Sequence, residues 1–152
     1  MNHYTISKSG AAAVLSVLGG ALAAALGGWD VMLRALVACM AADFVTGVAA
    51  AALGRSDKSR SGRISSAAAL EGLMKKGFEL LVILVASALE QVTGTDFIRS
   101  AVICFFIGTE GISVLENGGL LGIPLPPALR RWFEALRRQG ENGEEDGHDP
   151  RD

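Results

Sequence analysis

Apolar positions fall into four long blocks separated by short polar turns and one basic loop. Residues 10–28 carry no charge, and at about 1.5 Å per residue such a helical run nearly matches a hydrocarbon core of roughly 30 Å. The second block, residues 31–54, is interrupted only by Arg34 and Asp43. Arg34 is close enough to the end for its stem to snorkel to an interface, whereas Asp43 is not. The third block, residues 78–95, is long enough to span, but its uncharged core is only residues 80–89; alone, that core suits a buried helix of a soluble protein. The fourth, residues 100–121, opens on a strongly apolar stretch at 101–107 and then admits Glu110 and Glu116. Gly118 and Gly119 mark its far end, and Pro124, Pro126 and Pro127 forbid simple continuation of the helix.

The first two blocks are joined by Gly27-Gly28-Trp29-Asp30, which predicts a tight hairpin with Trp29 at an interface. A secretory signal peptide, cleaved near Ala21-Leu22-Ala23, is the rival for the first block. The apolar segment that follows at once favours a retained hairpin. Residues 55–76 hold Arg55, Lys58, Arg60, Arg63, Lys75 and Lys76 against Asp57 and Glu71, and the positive-inside rule assigns this loop to the cytoplasm. Four spans then put both termini inside, consistent with Lys8 before the first and Arg130, Arg131, Arg137 and Arg138 after the last. Residues 127–139 form an amphipathic basic helix, with Leu129, Trp132, Phe133 and Leu136 at helical spacing. It suits either an anionic lipid surface or packing on a neighbouring helix. Residues 140–152 are polar and acidic and are expected to be disordered. The expected fold is all-α: an integral membrane domain over residues 1–126, the basic helix, and the tail.

Composition narrows the function. Half of the residues are apolar and 20% are charged, with 14 Lys and Arg against 16 Asp and Glu. Without a basic excess, nucleic acid is not an expected partner. His3 and His148, the two histidines, stand near opposite ends, so no interior imidazole serves as a base or metal ligand. Cys39 and Cys104 lie within apolar runs and are expected to stay reduced. No phosphate loop or nucleophile with a partner base accompanies them. An enzyme is therefore not expected, nor any cofactor or metal.

Two features point to helix assembly. The first block places Ser16, Gly20 and Ala24 in a four-residue row, and Gly47 stands one turn beyond Asp43 in the second; small residues let helix backbones approach closely within lipid. Intramembrane carboxylates are costly unless protonated, paired or wet. Asp43 and Glu110 lie deepest, Glu116 is within reach of the cytoplasmic interface, and Glu79 and Glu90 are expected at the span ends. Asp43, Thr46, Glu110, Glu116 and Asn117 are thus the candidate polar positions, for interhelix hydrogen bonding, a wet lumen or a proton path.

The residues that carry a resemblance are Gly27-Gly28-Trp29-Asp30, then Asp43-Phe44-Val45-Thr46-Gly47, then Glu110-Gly111-Ile112-Ser113 with Glu116-Asn117, and the exit Gly122-Ile123-Pro124-Leu125-Pro126. Together with Gly72-Leu73-Met74-Lys75-Lys76, this succession resembles the phage-lysis and toxin-secretion holin family over about residues 20–138. The resemblance implies a multi-pass protein of the bacterial cytoplasmic membrane that forms homo-oligomers in the lipid bilayer. Its lesions would release a wall-degrading endolysin, or in some relatives a toxin. An antiholin, which restrains a partner holin, would need the same helix faces. A small transporter or proton channel using Asp43 and Glu110 is the alternative from another class, although the internal repeat it would favour is absent from the sequence.

Overall fold

A computed structural model describes residues 8–56 and 65–141, and five helices account for most of them. They are α1 (Lys8–Ala25), α2 (Val31–Ala52), α3 (Ser66–Thr93), α4 (Ile98–Leu120) and α5 (Pro127–Glu141). His3, His148, residues 57–64 of the basic loop and residues 142–152 of the acidic tail lie outside the described residues. Of the four expected spans, α2 and α4 are long and apolar enough to cross a membrane; the apolar stretch of α1, Gly10–Ala25, is shorter.

Local chemistry sets the helix ends. The Asp30 carboxylate accepts from Leu33 N at 2.8 Å and caps α2. Ser65 caps α3 through Ala68 N, and the chain leaves α3 through Gly94 in the left-handed conformation. Helix α3 therefore begins at Ser66, well before the expected third span. Its first turns carry Glu71, Lys75 and Lys76, charges that mask a helix from any reading based on apolar blocks. Gly140 and Glu141, expected in the tail, complete α5.

Helix α4 is the centre of the bundle, packed on α2, α3 and α5. The core on its α2–α3 side is built from Leu26, Leu33, Leu36, Met40, Ile83 and Ile103, with Leu80, Leu84 and Phe106 packed against it. Helix α1 stands apart. Its side chains are largely exposed, including Val14, Leu15, Val17 and Leu18, and the core begins only at Leu26 in the turn that follows. An apolar cavity of about 540 Å³ opens where α1 leaves α2 and α3, bounded by Gly20, Ala23, Trp29, Val37 and Leu80.

Candidate functional site

Polar residues meet in the middle of the bundle because three helices each turn a helical stripe of them inward. On α2, Asp43, Thr46 and Gly47 recur at i, i+3 and i+4, and on α4, Glu110, Ser113 and Asn117 recur at i, i+3 and i+7. Helix α3 contributes Lys76 and Glu79. The Lys76 ammonium bridges α2 and α4: Nζ donates to Asp43 Oδ2 at 2.8 Å and to Glu110 Oε2. The other Asp43 oxygen, Oδ1, accepts from Ser113 Oγ at 2.6 Å and from Asn117 Nδ2 at 3.0 Å. Asn117 Nδ2 also reaches Thr46 Oγ1 at 3.2 Å. Gly47 lies beside this contact, where a Cβ would stand at an ordinary van der Waals distance of 3.5 Å from Asn117 Nδ2. Asp43 lies nine residues before the end of α2 and Glu110 ten before the end of α4, so the network sits about 14 Å inside the helix ends.

Satisfaction is incomplete on the α3 side. Glu79 is 2% exposed and Glu110 1%. Neither oxygen of Glu79 has a hydrogen-bond partner, and nor does Glu110 Oε1. Lys75 Nζ stands 3.9 Å from Glu79 Oε1, too far to donate, and its own side chain is mostly exposed. Glu79, expected at a span end, is buried within the bundle.

A second polar layer closes the other end of the bundle. Arg99, near the start of α4, donates from Nε to Leu26 O at 2.6 Å, from Nη2 to Gly28 O at 3.1 Å and from Nη1 to Asp30 Oδ2 at 2.5 Å. The guanidinium thus clamps the α1–α2 turn, and its hydrogen bond holds the Asp30 carboxyl below the usual carboxylate range. Glu90 of α3 accepts from Arg99 N at 2.8 Å, taking the role of the missing side-chain cap on α4. Gly27 has φ +85°, and a Cβ there would stand 2.6 Å from Arg99 Nε, so both the turn and the clamp require glycine.

The other flank of α4 carries glycines. A Cβ on Gly108 would fall 2.6 Å from the Phe133 and Arg137 backbones, and one on Gly111 would enter the Phe133 ring. Gly118 receives Leu125, and Gly140 lies against Ala101 and Phe105. Helix α5 therefore runs antiparallel along almost the whole of α4. Of the two settings open to it from sequence, packing on a neighbour is the one this chain adopts. The fit leaves Trp132 72% exposed while Arg137 Nε is buried without a hydrogen-bond partner.

The structure thus gathers Asp43, Thr46, Gly47, Glu110 and Asn117 into one network. Glu116 stands apart, exposed and 3.8 Å from Arg130 of α5. The Ser16, Gly20 and Ala24 row meets no other helix: Ser16 Oγ donates to Ala12 O in its own helix, and nothing lies within 4 Å of a Cβ on Gly20. Sequence reasoning missed Lys76, Ser113 and Glu79. Lys76 had been counted with the basic loop, yet 76, 79, 83 and 86 follow the 3–4 spacing of one buried face. Cys39 and Cys104 are both free thiols.

The model of the bacteriophage holin family matches residues 20–138, which takes in α2 to α4, both polar layers and most of α5. An uncharacterised 14.9 kDa protein from the nagH 3' region of Clostridium perfringens is 35% identical over 115 residues, covering 74% of this chain and 82% of that one. An uncharacterised Listeria monocytogenes protein, Lmo0128, is 31% identical, covering 79% of this chain and 81% of its own. A protein named probable holin from Bacillus phage phi105 is 30% identical over 88 residues, 57% of this chain and 60% of the phage protein. No solved structure matches.

Proposed function

Because the chain belongs to the bacteriophage holin family, we propose that it accumulates in the bacterial cytoplasmic membrane, assembles with copies of itself and opens lesions that release a wall-degrading enzyme. In this reading α1 to α4 all cross the bilayer with both termini inside, which requires α5 to leave the flank of α4 in the membrane, since seated there it carries the chain back to the outer end of that helix. Arg55, Lys58, Arg60 and Arg63 still outnumber Asp57 in the α2–α3 loop after Lys75 and Lys76 are reassigned to α3, so the charge bias supports the orientation.

The observation that carries the proposal is the Asp43–Lys76–Glu110 network, buried midway along apolar helices. In a closed bundle these charges neutralise one another away from lipid, and in an open assembly the same side chains would line a wet passage. The exposed small-residue row of α1 leaves a close-packing face for a second copy. Controlled expression in a bacterium, with and without a cytoplasmic muralytic enzyme, tests the reading through membrane potential and culture turbidity. Abrupt depolarisation followed by enzyme-dependent lysis is expected. Selective, saturable flux without loss of viability would favour a transporter, and silence alone with delayed lysis by a co-expressed holin would favour an antiholin.

A further inference from the structure

The central network holds three buried carboxylates, Asp43, Glu79 and Glu110, against one part-buried ammonium, Lys76. Asp43 is fully engaged by Lys76, Ser113 and Asn117. Glu110 gives only Oε2 to Lys76, and its Oε1 faces no donor. Glu79 lies one turn along α3 from Lys76, the lysine that holds Glu110, on the face that packs against α4, and both of its own oxygens are unpartnered. Buried carboxylate oxygens find donors as a rule, and two facing carboxylates that share a site cannot both stay ionised.

From this geometry we infer that Glu79 and Glu110 form a proton-binding site, one proton shared between the two carboxyl groups in the closed bundle. A carboxyl O–H on either residue donates to the other and satisfies two orphaned oxygens at once. It also leaves a single negative charge on the pair. With Asp43 and Lys76 included, the network then carries one net negative charge, and the ammonium of Lys75 lies at its edge. The surrounding groups leave the proton as the ligand. From α2 the titratable neighbours are Asp43, already bonded, and the thiol of Cys39, one turn before it. From α3 they are Lys75 and Lys76. On α5, Arg137 packs at Gly108 on the other flank of α4. Among the described residues, no three His, Cys, Asp or Glu side chains are placed so as to hold one metal ion.

The site gives the proposed lesion a chemical trigger and in that respect rests on the holin reading. Loss of the proton places two like charges face to face between α3 and α4 and drives those helices apart or into water. Infrared spectroscopy of the full chain reconstituted in lipid vesicles tests the binding itself, independently of lysis. Near neutral pH the spectrum should show a protonated-carboxyl stretch that shifts in deuterated water. Glu79→Gln and Glu110→Gln should each abolish it, while Glu116→Gln, at an exposed residue, should leave it unchanged. Glutamine at position 79 supplies a permanent N–H donor to Glu110, so the variant should fold, fix the closed form and delay lysis. Absence of the band in wild type, its survival in both glutamine variants, or its appearance only on removal of sodium and potassium would overturn the inference. A normal band in a protein that never causes lysis would refute the lesion reading and leave the proton site standing.

Discussion

Replacing Lys76 by methionine removes the ammonium and keeps the length and most of the volume of the side chain. Asp43 would retain Ser113 and Asn117, but Glu110 would lose its ammonium donor at Oε2 and keep only the proton it shares with Glu79. Removing one partner of a buried ion pair costs about 3–5 kcal/mol, which is between roughly two and four orders of magnitude in the folding equilibrium. The neighbouring Lys75→Met is the matched control. Its side chain is mostly exposed and 3.9 Å from Glu79, and such pairs contribute about 1 kcal/mol or less. Titrating the purified protein from mild detergent into sodium dodecyl sulfate, followed by circular dichroism, should show a large loss for Lys76→Met and almost none for Lys75→Met. Adding Glu110→Gln to Lys76→Met should recover part of the loss, because the uncompensated charge is then gone. Stability within about 1 kcal/mol of wild type for Lys76→Met would refute the idea that this lysine holds the bundle together, since even a weak buried pair exceeds that value.

Three further outcomes are expected. Gly111→Ala would force a methyl into the Phe133 ring, an overpacking cost of about 1–3 kcal/mol, and should free α5 to limited proteolysis while the spectroscopic helix content of α1 to α4 is kept. Gly20→Leu meets nothing within 4 Å, so the stability of the single chain should stay within about 0.5 kcal/mol; any change should fall on crosslinked oligomers and lysis timing, and no change in either would remove this row from the assembly. Because Arg99 lowers the Asp30 pKa, its stabilisation is present above the ordinary carboxylate value and lost as pH falls through the lowered one. Asp30→Asn should therefore flatten the acid side of a thermal-stability profile in detergent.

Asp43 and Glu110 were legible because a lone acid inside an apolar run has no inexpensive place to go. Thr46 was legible by its place one turn from Asp43, and Asn117 through the Glu-Asn pair of the family resemblance. The family resemblance, resting on the same motifs, agrees with the family match over residues 20–138. Lys76 was not legible by hydropathy. It follows Lys75 and precedes the apolar block, so a count along the chain assigns it to the loop, and only the rotation of α3 against α4 separates the part-buried lysine from the exposed one. The same rotation buries Glu79. The glycines of α4 presented another difficulty. Gly108 and Gly111 are unremarkable in an apolar helix, and their use is set by a partner, α5, whose amphipathic pattern suited a lipid surface equally well.

The seating of α5 on α4 bears on when that face is accessible to anything else. Only residues 121–126 separate the two helices, and a link this short holds a tethered segment at a local concentration in the millimolar range. Another helix seeking Gly108 and Gly111 must outcompete that internal occupant. If copies assemble as proposed, contact between chains through this face would be disfavoured while they are sparse and competitive only when their crowding in the membrane plane rivals the tether. Synthesis rate and chain density, rather than the affinity of the face alone, would then fix the moment at which α4 exchanges one neighbour for another.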